Sequence, residues 1–498
     1  MGIKRAITIY LASLTPWLGC FSSHVLAQAT WANLNSSGKL AYKSDDLGNH
    51  LIDYSYAGYQ GGGVTLPMAP TKRVVSPISG DNTANIQNAI NAIAAMNPNI
   101  NGIRGAVELR AGTYLIDGTL TISTGGVILR GAGNSMSGTV LEFSGTAPET
   151  AINLSGSGGE SQGSPTSTIT DTYVPLGATS FHVSSTSGLS VGTNIVVNRN
   201  WTTSWVRAMS MTPYWTASGH QTNAERTITA ISGNQITLNF GIPQPIEQKW
   251  VTGQVWPFTD SGRIQKSAIE NLYILSQLSA ANFSNIAINM DKCKNCWVKN
   301  VAFDGWAQGV SIGGGGKWIT VQDCSFSNGV NVGSARPPAF DIDGGQLNLM
   351  QRLNCISGFE HALQMQDESA GPNVYLNCVC TGSDFDDGPH RFWSTSVLYD
   401  SCTGQYDNHH IEIISGGDNG WGAGFTVFWN CGAGSYSVGE PTCDHTYNWI
   451  IGGTGSIGSA DGQNGIYDHE GMIVAPQSLY LEQLKERLGE TAVHNIGY

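Results

Sequence analysis

A short pattern of apolar and polar positions recurs seven times between Ile269 and Cys431. Each copy has a β-branched or aromatic run, then Asn, Asp or Ser, then a small apolar residue. The steps between copies are 29, 23, 31, 23, 24 and 29 residues. A period of roughly 20 to 50 residues is typical of repeat architectures. The polar residues of the copies are Asn271, Asn300, Asp323, Asn354, Asn377, Ser401 and Asn430.

The repeat unit lacks the i, i+3, i+4 spacing of a helix and has short β-branched runs broken by Gly, Asn and Ser. Three short strands with their turns fill about two dozen residues at roughly 3.3 Å per residue. We therefore predict an all-β fold, a right-handed parallel β-helix. The polar residues should form a ladder at a bend. The residues after them should stack inward: Leu272, Val301, Cys324, Cys355, Cys378, Cys402 and Cys431.

The cysteines follow this repeat. Five of the ten occupy the inward position, which indicates buried thiols acting as small hydrophobic side chains. The alternative is a disulfide between Cys293 and Cys296, or between Cys431 and Cys443. We expect no zinc site, because the CxxC at 293–296 has no second pair at zinc spacing.

An amphipathic helix is predicted before the repeat, in the sequence DNTANIQNAINAIAAM. It has Ile86, Ile90 and Ile93 on one face, with Asp81 or Thr83 as the N-cap. Such a helix would cover the open end of the coils, where apolar side chains and unpaired strand edges are otherwise exposed.

A second helix is predicted after the repeat, in SLYLEQLKERLG. Leu481, Leu484 and Leu488 share one face, and Gly489 ends the helix. We expect it to lie against the solenoid.

Residues 165–250 interrupt the coils with period-two alternation and Gly-containing turns, which predicts a small inserted β-subdomain. Trp201, Trp205 and Trp215 lie between its two halves. They form either the core of this subdomain or an aromatic wall beside a sugar-binding groove, because indole faces match both environments.

Three further phrases carry a family resemblance. DNTANIQNAI, GAVELRAGTYLI and VILRGAG together resemble the opening of the pectate-lyase superfamily, over about residues 81–145. The resemblance implies a secreted parallel β-helix that acts on polysaccharides, as lyases, hydrolases and phage tailspikes of this group do. The vWiDH stretch of pectate lyases and the GHG and RIK stations of polygalacturonases are absent, so no catalytic residue is carried over.

The N-terminus has the pattern of a secretory signal, with Lys4 and Arg5 before an apolar run and a small-residue cleavage site at Ala27 or Ala29. No later apolar run reaches the roughly 18 residues of a membrane span. The expected divisions are a signal peptide at 1–29, an arm at 30–80, cap helix and first coils at 81–164, the insertion at 165–250, the main coils at 251–470 and a helical tail at 471–498.

Composition and net charge limit the classes of molecule that this protein is expected to bind. The formal net charge is −13, and only 12% of residues are charged. This balance argues against nucleic acid, which needs a basic face. A local cationic site still permits an acidic polysaccharide, which is the expected partner. We expect a secreted or periplasmic monomer.

The densest polar segment is TGSDFDDGPHRFW, which contains Asp384, Asp386, His390 and Arg391. Coil stacking should bring side chains of neighbouring coils beside it. Counted from the polar residue of each coil, seven positions on are His361, Asp384 and Asn408, and nine positions on are Asp386 and His410. Eleven positions before are Asp343, Gln366 and His390, and ten before are Asp367 and Arg391.

Two reactions suit these residues. In β-elimination on a uronic acid, His390, His361 or His410 is the base and Arg391 neutralises the substrate carboxylate. A calcium ion on Asp384, Asp386 or Asp387 is the alternative neutraliser. In hydrolysis, two carboxylates would act as acid and base or nucleophile. The candidates for them are Asp384, Asp386, Asp387 and Asp367.

The histidine and arginine content favours the lyase over the hydrolase. Substrate contacts are expected from Asp367, Trp393, Trp201, Trp205 and Trp215. A third interpretation is a carbohydrate-binding or structural spike without catalysis. In that case the polar side chains would not converge.

Overall fold

A long sheet of stacked coils dominates the molecule. The computed structural model describes residues 26–145, 150–278, 285–330, 337–381, 383–404, 408–414, 419–443 and 445–498. Within them, one sheet holds 30 strands that pair with their equivalents in the next coil, almost all in parallel. The predicted fold class, an all-β parallel β-helix, is confirmed.

The coils have three faces, and some strands continue from one face to the next. The first face contains Thr71–Val75, Gly105–Leu109, Val127–Arg130, the starts of Ala268–Leu278 and Trp297–Asp304, Thr320–Gln322, Leu349–Gln351, Ala370–Leu376, Ser394–Asp400, Ala423–Gly424, Val427–Trp429, Trp449–Ile451 and Ile466–Asp468. The second contains Gly112–Ile116, Thr139–Gly145, the ends of Ala268–Leu278 and Trp297–Asp304, Ser325–Ser327, Asn354–Cys355, Val379–Cys380, Thr403–Gly404, the start of Gly432–Glu440 and Thr454–Ile457.

The third face carries the candidate site. It contains Leu120–Ile122, Thr150–Ser155, Ile286–Asp291, Gln308–Ile312, Phe340–Asp343, Phe359–Gln366, Ser383–Pro389, Asn408–Ile411 and the end of Gly432–Glu440. Short strands outside the faces are Ala27–Gln28, Ala32–Leu34, Leu40–Tyr42, Tyr173–Val174, Ile246–Glu247, Ile264–Gln265, Cys293–Lys294, Ile413–Ile414, Gly420–Trp421, Gln463–Asn464 and Val474–Ala475.

The bend between the first and second faces has a left-handed residue in each coil. Asn300 donates its side-chain amide to Asn271 at 2.8 Å, as the predicted ladder requires. One rung was assigned wrongly, because Asn354 lies in a strand and Arg352 occupies the bend with φ 51°. Arg352 is held there by an ion pair with Asp323 at 2.6 Å, which replaces the amide contact. The bend residues are Asn271, Asn300, Asp323, Arg352, Asn377, Ser401 and Asn430.

The column of inward-facing residues also differs from the prediction, because the same bend residue was misassigned. Strand register aligns Leu353 with Cys378, and Cys378 with Cys402 and Cys431. Cys355 lies on the second face instead, where it pairs with Cys380. The five thiols are buried, as predicted, but occupy two columns. None of the described cysteines forms a disulfide, which contradicts the disulfide alternative.

The first predicted helix covers the opening coils. Helix α1 spans Thr83–Ala94, and its buried residues are Ile86, Ile90 and Ile93, as predicted. Its N-cap is Asn82, not Asp81 or Thr83. The Asp81 carboxylate instead accepts the Thr83 backbone N–H at 2.8 Å, one position outside the cap.

An antiparallel sheet interrupts the coils after Ser155. Its strands are Glu160–Gln162, Ser167–Thr168, Ser180–His182, Asn194–Asn200, Gln221–Ser232, Gln235–Leu238 and Gly253–Asp260. Helix α2, Thr203–Ala208, follows the strand Asn194–Asn200. The insertion begins where the third face turns toward the first, and it lies over the equivalent turns of later coils. We call it the inserted sheet. The division into domains stays a prediction.

The C-terminal chain forms two helices. Helix α3 spans Leu479–Leu488 between Ser478 and Gly489, and helix α4 spans Glu490–Asn495. The predicted apolar face of α3 is partly wrong, because Leu488 is 48% exposed whereas Tyr480 is buried. Two short 3-10 helices, Tyr54–Tyr56 and Tyr59–Gly61, belong to the N-terminal arm.

The N-terminal end of the described chain is anchored to the C-terminal region. Strand Ala27–Gln28 pairs with Val474–Ala475, and Thr30 donates to Asp468 at 2.6 Å. The predicted signal peptide falls mostly on residues 1–25, outside the described residues. No helix in the described ranges has the length and apolarity that a membrane crossing requires.

Candidate functional site

Polar side chains form outward columns on the third face. Strand alternation points Phe340 and Ile342 inward and Asp341 and Asp343 outward. In the next coil Asp341 pairs with Gln364 and Asp343 with Gln366. Gln364 pairs in turn with Gly388. One outward column therefore consists of Asp341, Gln364 and Gly388 in three successive coils.

Three imidazoles converge around this glycine. Asp387 pairs with His409, so the next residues, Gly388 and His410, also lie side by side. The ring of His361 lies 4.7 Å from that of His390 and 6.1 Å from that of His410, measured between centroids. The strand register shifts on both sides of His361, an irregularity that re-aims side chains.

Gly388 makes this approach of strands and rings feasible. A Cβ at this position would collide with the backbone carbonyl oxygen of His410. The absent side chain also leaves open the outward position between Gln364 and His410. Three histidines from three coils can therefore face one point, which is the convergence that an enzyme requires and a passive spike does not.

A group of carboxyls adjoins the histidines. Burial raises the pKa of Asp341 to about 7, although Gln366 and Gln364 donate to its oxygens at 2.7 and 3.3 Å. Burial also raises the pKa of Asp343 to about 8, assisted by a hydrogen bond to Asp367 and the nearby negative charges. Asp343 is therefore protonated at neutral pH.

Arg391 balances only one of these carboxyls. Its guanidinium lies 3.0 Å from Asp367, and both side chains are about one-third exposed. Asp367 and Glu368 occupy a tight turn with φ values of 56° and 58°. The Asp367 backbone N–H donates to the Arg391 carbonyl at 3.2 Å, which confirms the predicted alignment of these two residues.

Asp387 is directed away from the outer surface. It is 1% exposed, and its carboxylate accepts the Leu363 backbone N–H at 3.1 Å. Its strand partner His409 is buried against Phe428, with ring centroids 5.0 Å apart, and burial lowers the pKa of His409 to about 4. The predicted calcium role of Asp387 on the outer face is therefore wrong, because alternation turns this residue into the core.

The other two predicted calcium ligands have no described side chains. Asp384 and Asp386 belong to the strand Ser383–Pro389, and the backbone of Asp386 pairs with His361. The predicted pairing of His361 with Asp384 is wrong, because the ladder was counted from Asn354 instead of Arg352. The predicted pairing of His410 with Asp386 is also wrong, because Asp386 pairs with Asn408. Among the described residues, no group of three or more ligating side chains is arranged to hold a metal ion.

The predicted aromatic wall is an interior cluster. Trp201, Trp205 and Trp215 are at most 3% exposed, and Trp393 is fully buried. The rings of Trp205 and Trp393 lie 5.6 Å apart, so the cluster joins the inserted sheet to the coils. The expectation that these four rings bind substrate with their faces is wrong, because the faces pack on one another.

Two functional candidates were given no role from the sequence. Asp341 was not singled out, and Asp343 appeared only as a stacked position. Their signal was the phrase AFDIDGG, where two acids alternate with apolar residues in a chain with few charges. In a strand, that spacing places both acids on one face.

No protein-family model matches this chain, and no curated protein matches it. Membership of the pectate-lyase superfamily therefore stays a prediction. Among solved structures, the tailspike gp49 of Pseudomonas phage LKA1 matches with TM-score 0.37 and 13% identity over 76% of this chain and 70% of its own.

Two further solved structures show similar values. DFA-IIIase from Arthrobacter chlorophenolicus A6 matches with TM-score 0.33 and 10% identity over 84% of this chain and 89% of its own. Endo-xylogalacturonan hydrolase from Aspergillus tubingensis matches with TM-score 0.25 and 11% identity over 80% and 92%. At such scores, neither the activity nor the ligand of a neighbour carries over to this chain.

Proposed function

We propose that this protein is a polysaccharide lyase that cleaves a uronate-containing chain by β-elimination on the third face of the coils. The observation that carries this proposal is the convergence of His361, His390 and His410 on the same face as the protonated Asp343. An imidazole has a pKa near 6.5 and can remove a proton at neutral pH.

The roles follow from exposure and charge. His390 is the most exposed of the three histidines and takes the proton next to the substrate carboxylate. The electron pair forms the new carbon–carbon double bond, and the glycosidic carbon–oxygen bond breaks. His361 or His410 returns a proton to the leaving oxygen. Arg391 and the protonated Asp343 stabilise the developing negative charge on the substrate carboxylate.

This assignment predicts a bell-shaped dependence of activity on pH. On the acid side the base must be neutral to accept a proton, so activity falls at low pH. On the alkaline side the imidazole that returns the proton and Asp343 must both be protonated, so activity is lost at the latest as pH passes the Asp343 pKa of about 8. The optimum is expected below pH 8.

Replacement of His390 by Ala tests the proposal. A positioned base contributes roughly 10²- to 10⁴-fold in rate, so kcat should fall by that factor. The measurement is the ultraviolet absorbance of the unsaturated product on a panel of uronate polysaccharides. His182→Ala is the matched control, since this histidine is exposed on the inserted sheet beside Asp171 and far along the chain from the site.

Hydrolysis is the second candidate, favoured by the raised pKa values of Asp341 and Asp343. It ranks lower because it gives the convergence of His361, His390 and His410 no role. New reducing ends without ultraviolet absorbance would reject the lyase and support hydrolysis.

A further inference from the structure

A cleft of about 380 Å³ lies between the inserted sheet and the turns that join the third face to the first. This volume falls within the range of ligand pockets, roughly 300 to 1,000 Å³. Glu160, Gln221 and Asn223 line it from the inserted sheet, and Gly314, Gly344 and Asp367 line it from successive coil turns.

The cleft continues directly into the candidate site. Asp367 lines the cleft and also binds Arg391, the neighbour of His390 in the chain. A polysaccharide cleaved beside His390 would therefore place an adjacent sugar residue in the cleft. On the coil side the cleft is lined by glycines, which have no side chain, so a sugar ring can approach the backbone.

The cleft offers hydrogen-bond donors that are already oriented. The Asn198 amide donates to the side-chain oxygens of Gln221 and Asn223, each at 2.8 Å. This fixes both amides with their oxygens occupied and their NH2 groups left to donate. Nε of Arg263, which also lines the cleft, is buried and has no hydrogen-bond partner among the described residues.

The described charges around the cleft balance. Glu225 and Asp260 are shared by Arg263, Lys317 and Lys294. Asp367, which Arg391 binds, and Glu368 supply the two further negative charges. Burial raises the pKa of Glu160 to about 8, and its hydrogen bond to Glu225 already uses its proton. The cleft therefore has no excess positive charge to attract a second carboxylate.

One further cation and one further carboxyl also line the cleft. Lys292 is half exposed and lies 3.6 Å from Asp291, which offsets part of its charge. Glu368 also lines the cleft, but His220 of the inserted sheet binds one of its oxygens and the Gln221 backbone N–H donates to the other at 3.1 Å. The lining therefore suits hydroxyl groups better than carboxylates.

We propose that this cleft is a subsite for a neutral sugar residue adjoining the uronate, so that the natural substrate is a heteropolysaccharide and not a homopolymer of uronate. This inference rests on the proposed function for the position of the uronate. It assigns the inserted sheet the role of selecting substrate, in addition to packing on the coils.

Binding measured on an inactive protein tests the inference. In the His390→Ala background, calorimetry would compare an alternating galacturonate–rhamnose chain and an alternating glucuronate–N-acetylglucosamine chain with polygalacturonate. At least one alternating chain should bind about 10-fold more tightly, a difference of about 1.4 kcal/mol.

A cleft-filling variant tests the location. Gly314→Leu would place its Cβ 3.9 Å from the nearest atom, the Gly344 carbonyl oxygen, and its backbone is outside the left-handed region. It should weaken binding of the alternating chain about 10-fold. Gly432→Leu is the control, because its Cβ would make an ordinary 3.5 Å contact with Thr403 on another part of the coil.

The inference is overturned if polygalacturonate binds as tightly as the alternating chains, if neither alternating chain binds, or if Gly314→Leu binds like Gly432→Leu. Failure of the proposed lyase gives a different result. An alternating chain that binds in the cleft but is left intact by the unmodified protein would reject the lyase and leave the subsite standing.

Discussion

Two groups of charged side chains lie close together in this molecule and differ in their balance. The network around Glu225 joins the inserted sheet to the coils, with Lys317 and two nitrogens of Arg263 on its carboxylate. The group around Asp343 holds three carboxyls with Arg391 as their ion-pair partner on Asp367.

The pKa values follow this difference. Burial opposes the charge of Glu225, but Lys317 and Arg263 outweigh it and lower its pKa to about 2. Burial and neighbouring acids raise the pKa of Asp343 to about 8. Two cations hold the Glu225 carboxylate ionised, whereas the carboxyls around Asp343 share the cation Arg391. The contrast separates a structural tie from a candidate site.

Breaking the Glu225 network should have the largest effect on stability. Lys317→Met removes a buried cation and leaves part of the Glu225 charge uncompensated. The free energy of unfolding should fall by about 3 to 5 kcal/mol, which is typical of breaking a buried ion pair. Chemical denaturation followed by tryptophan fluorescence measures this loss.

Two further variants define that result. Lys485→Met, at an exposed lysine 3.4 Å from Glu490, should change stability by no more than about 0.5 kcal/mol. Adding Glu225→Gln to Lys317→Met should restore part of the loss, because it removes the unpaired charge. A loss equal to that of Lys485→Met would show that the network is not a structural tie.

The coil architecture could be predicted because every coil imposes the same conformational requirements on its residues. Each coil needs a left-handed bend residue and a small inward neighbour, and Asn with Cys meets that need at Asn377. Arg352 was missed at the same bend because its conformation depends on an ion pair with Asp323, a partner 29 residues away. A pattern within one coil does not contain that contact.

The candidate site was predictable in part for the same reason. His390 and Arg391 stood out because charges are rare in this chain. The inward direction of Asp387 and the burial of Trp205 depend on the exact strand register and on how the inserted sheet docks. Two residues of error in the ladder were sufficient to align His361 with Asp384 instead of Asp386.

Gly388→Ala should disturb the site while leaving the Glu225 network intact. Its Cβ would collide with the His410 carbonyl, so the strand Asn408–Ile411 must shift. Overpacking of this kind costs roughly 1 to 3 kcal/mol. Activity should fall as far as in His390→Ala, because the three imidazoles separate. Near-normal kcat in Gly388→Ala would show that their convergence is not required.

Asp343→Asn should give the smallest effect on stability, and with the opposite sign. Between the ordinary value of 3.8 and the folded value of about 8, this carboxyl binds more protons in the folded state than in the unfolded state. Its contribution to stability therefore falls as pH rises through that window. Asn keeps the N–H donor toward Asp367 and cannot ionise.

The variant should thus be more stable than the unmodified protein at pH 8 and show no such gain at pH 4. Thermal unfolding at both pH values measures the difference, with the exposed Asp117→Asn as the control. Activity should fall at the same time, because the charge on Asp343 is costly to the fold and the proton is needed by the reaction. If stability depends on pH equally in Asp343→Asn and Asp117→Asn, the charge of Asp343 is as fixed as the charges of the Glu225 network. The distinction between the two groups of side chains would then be lost.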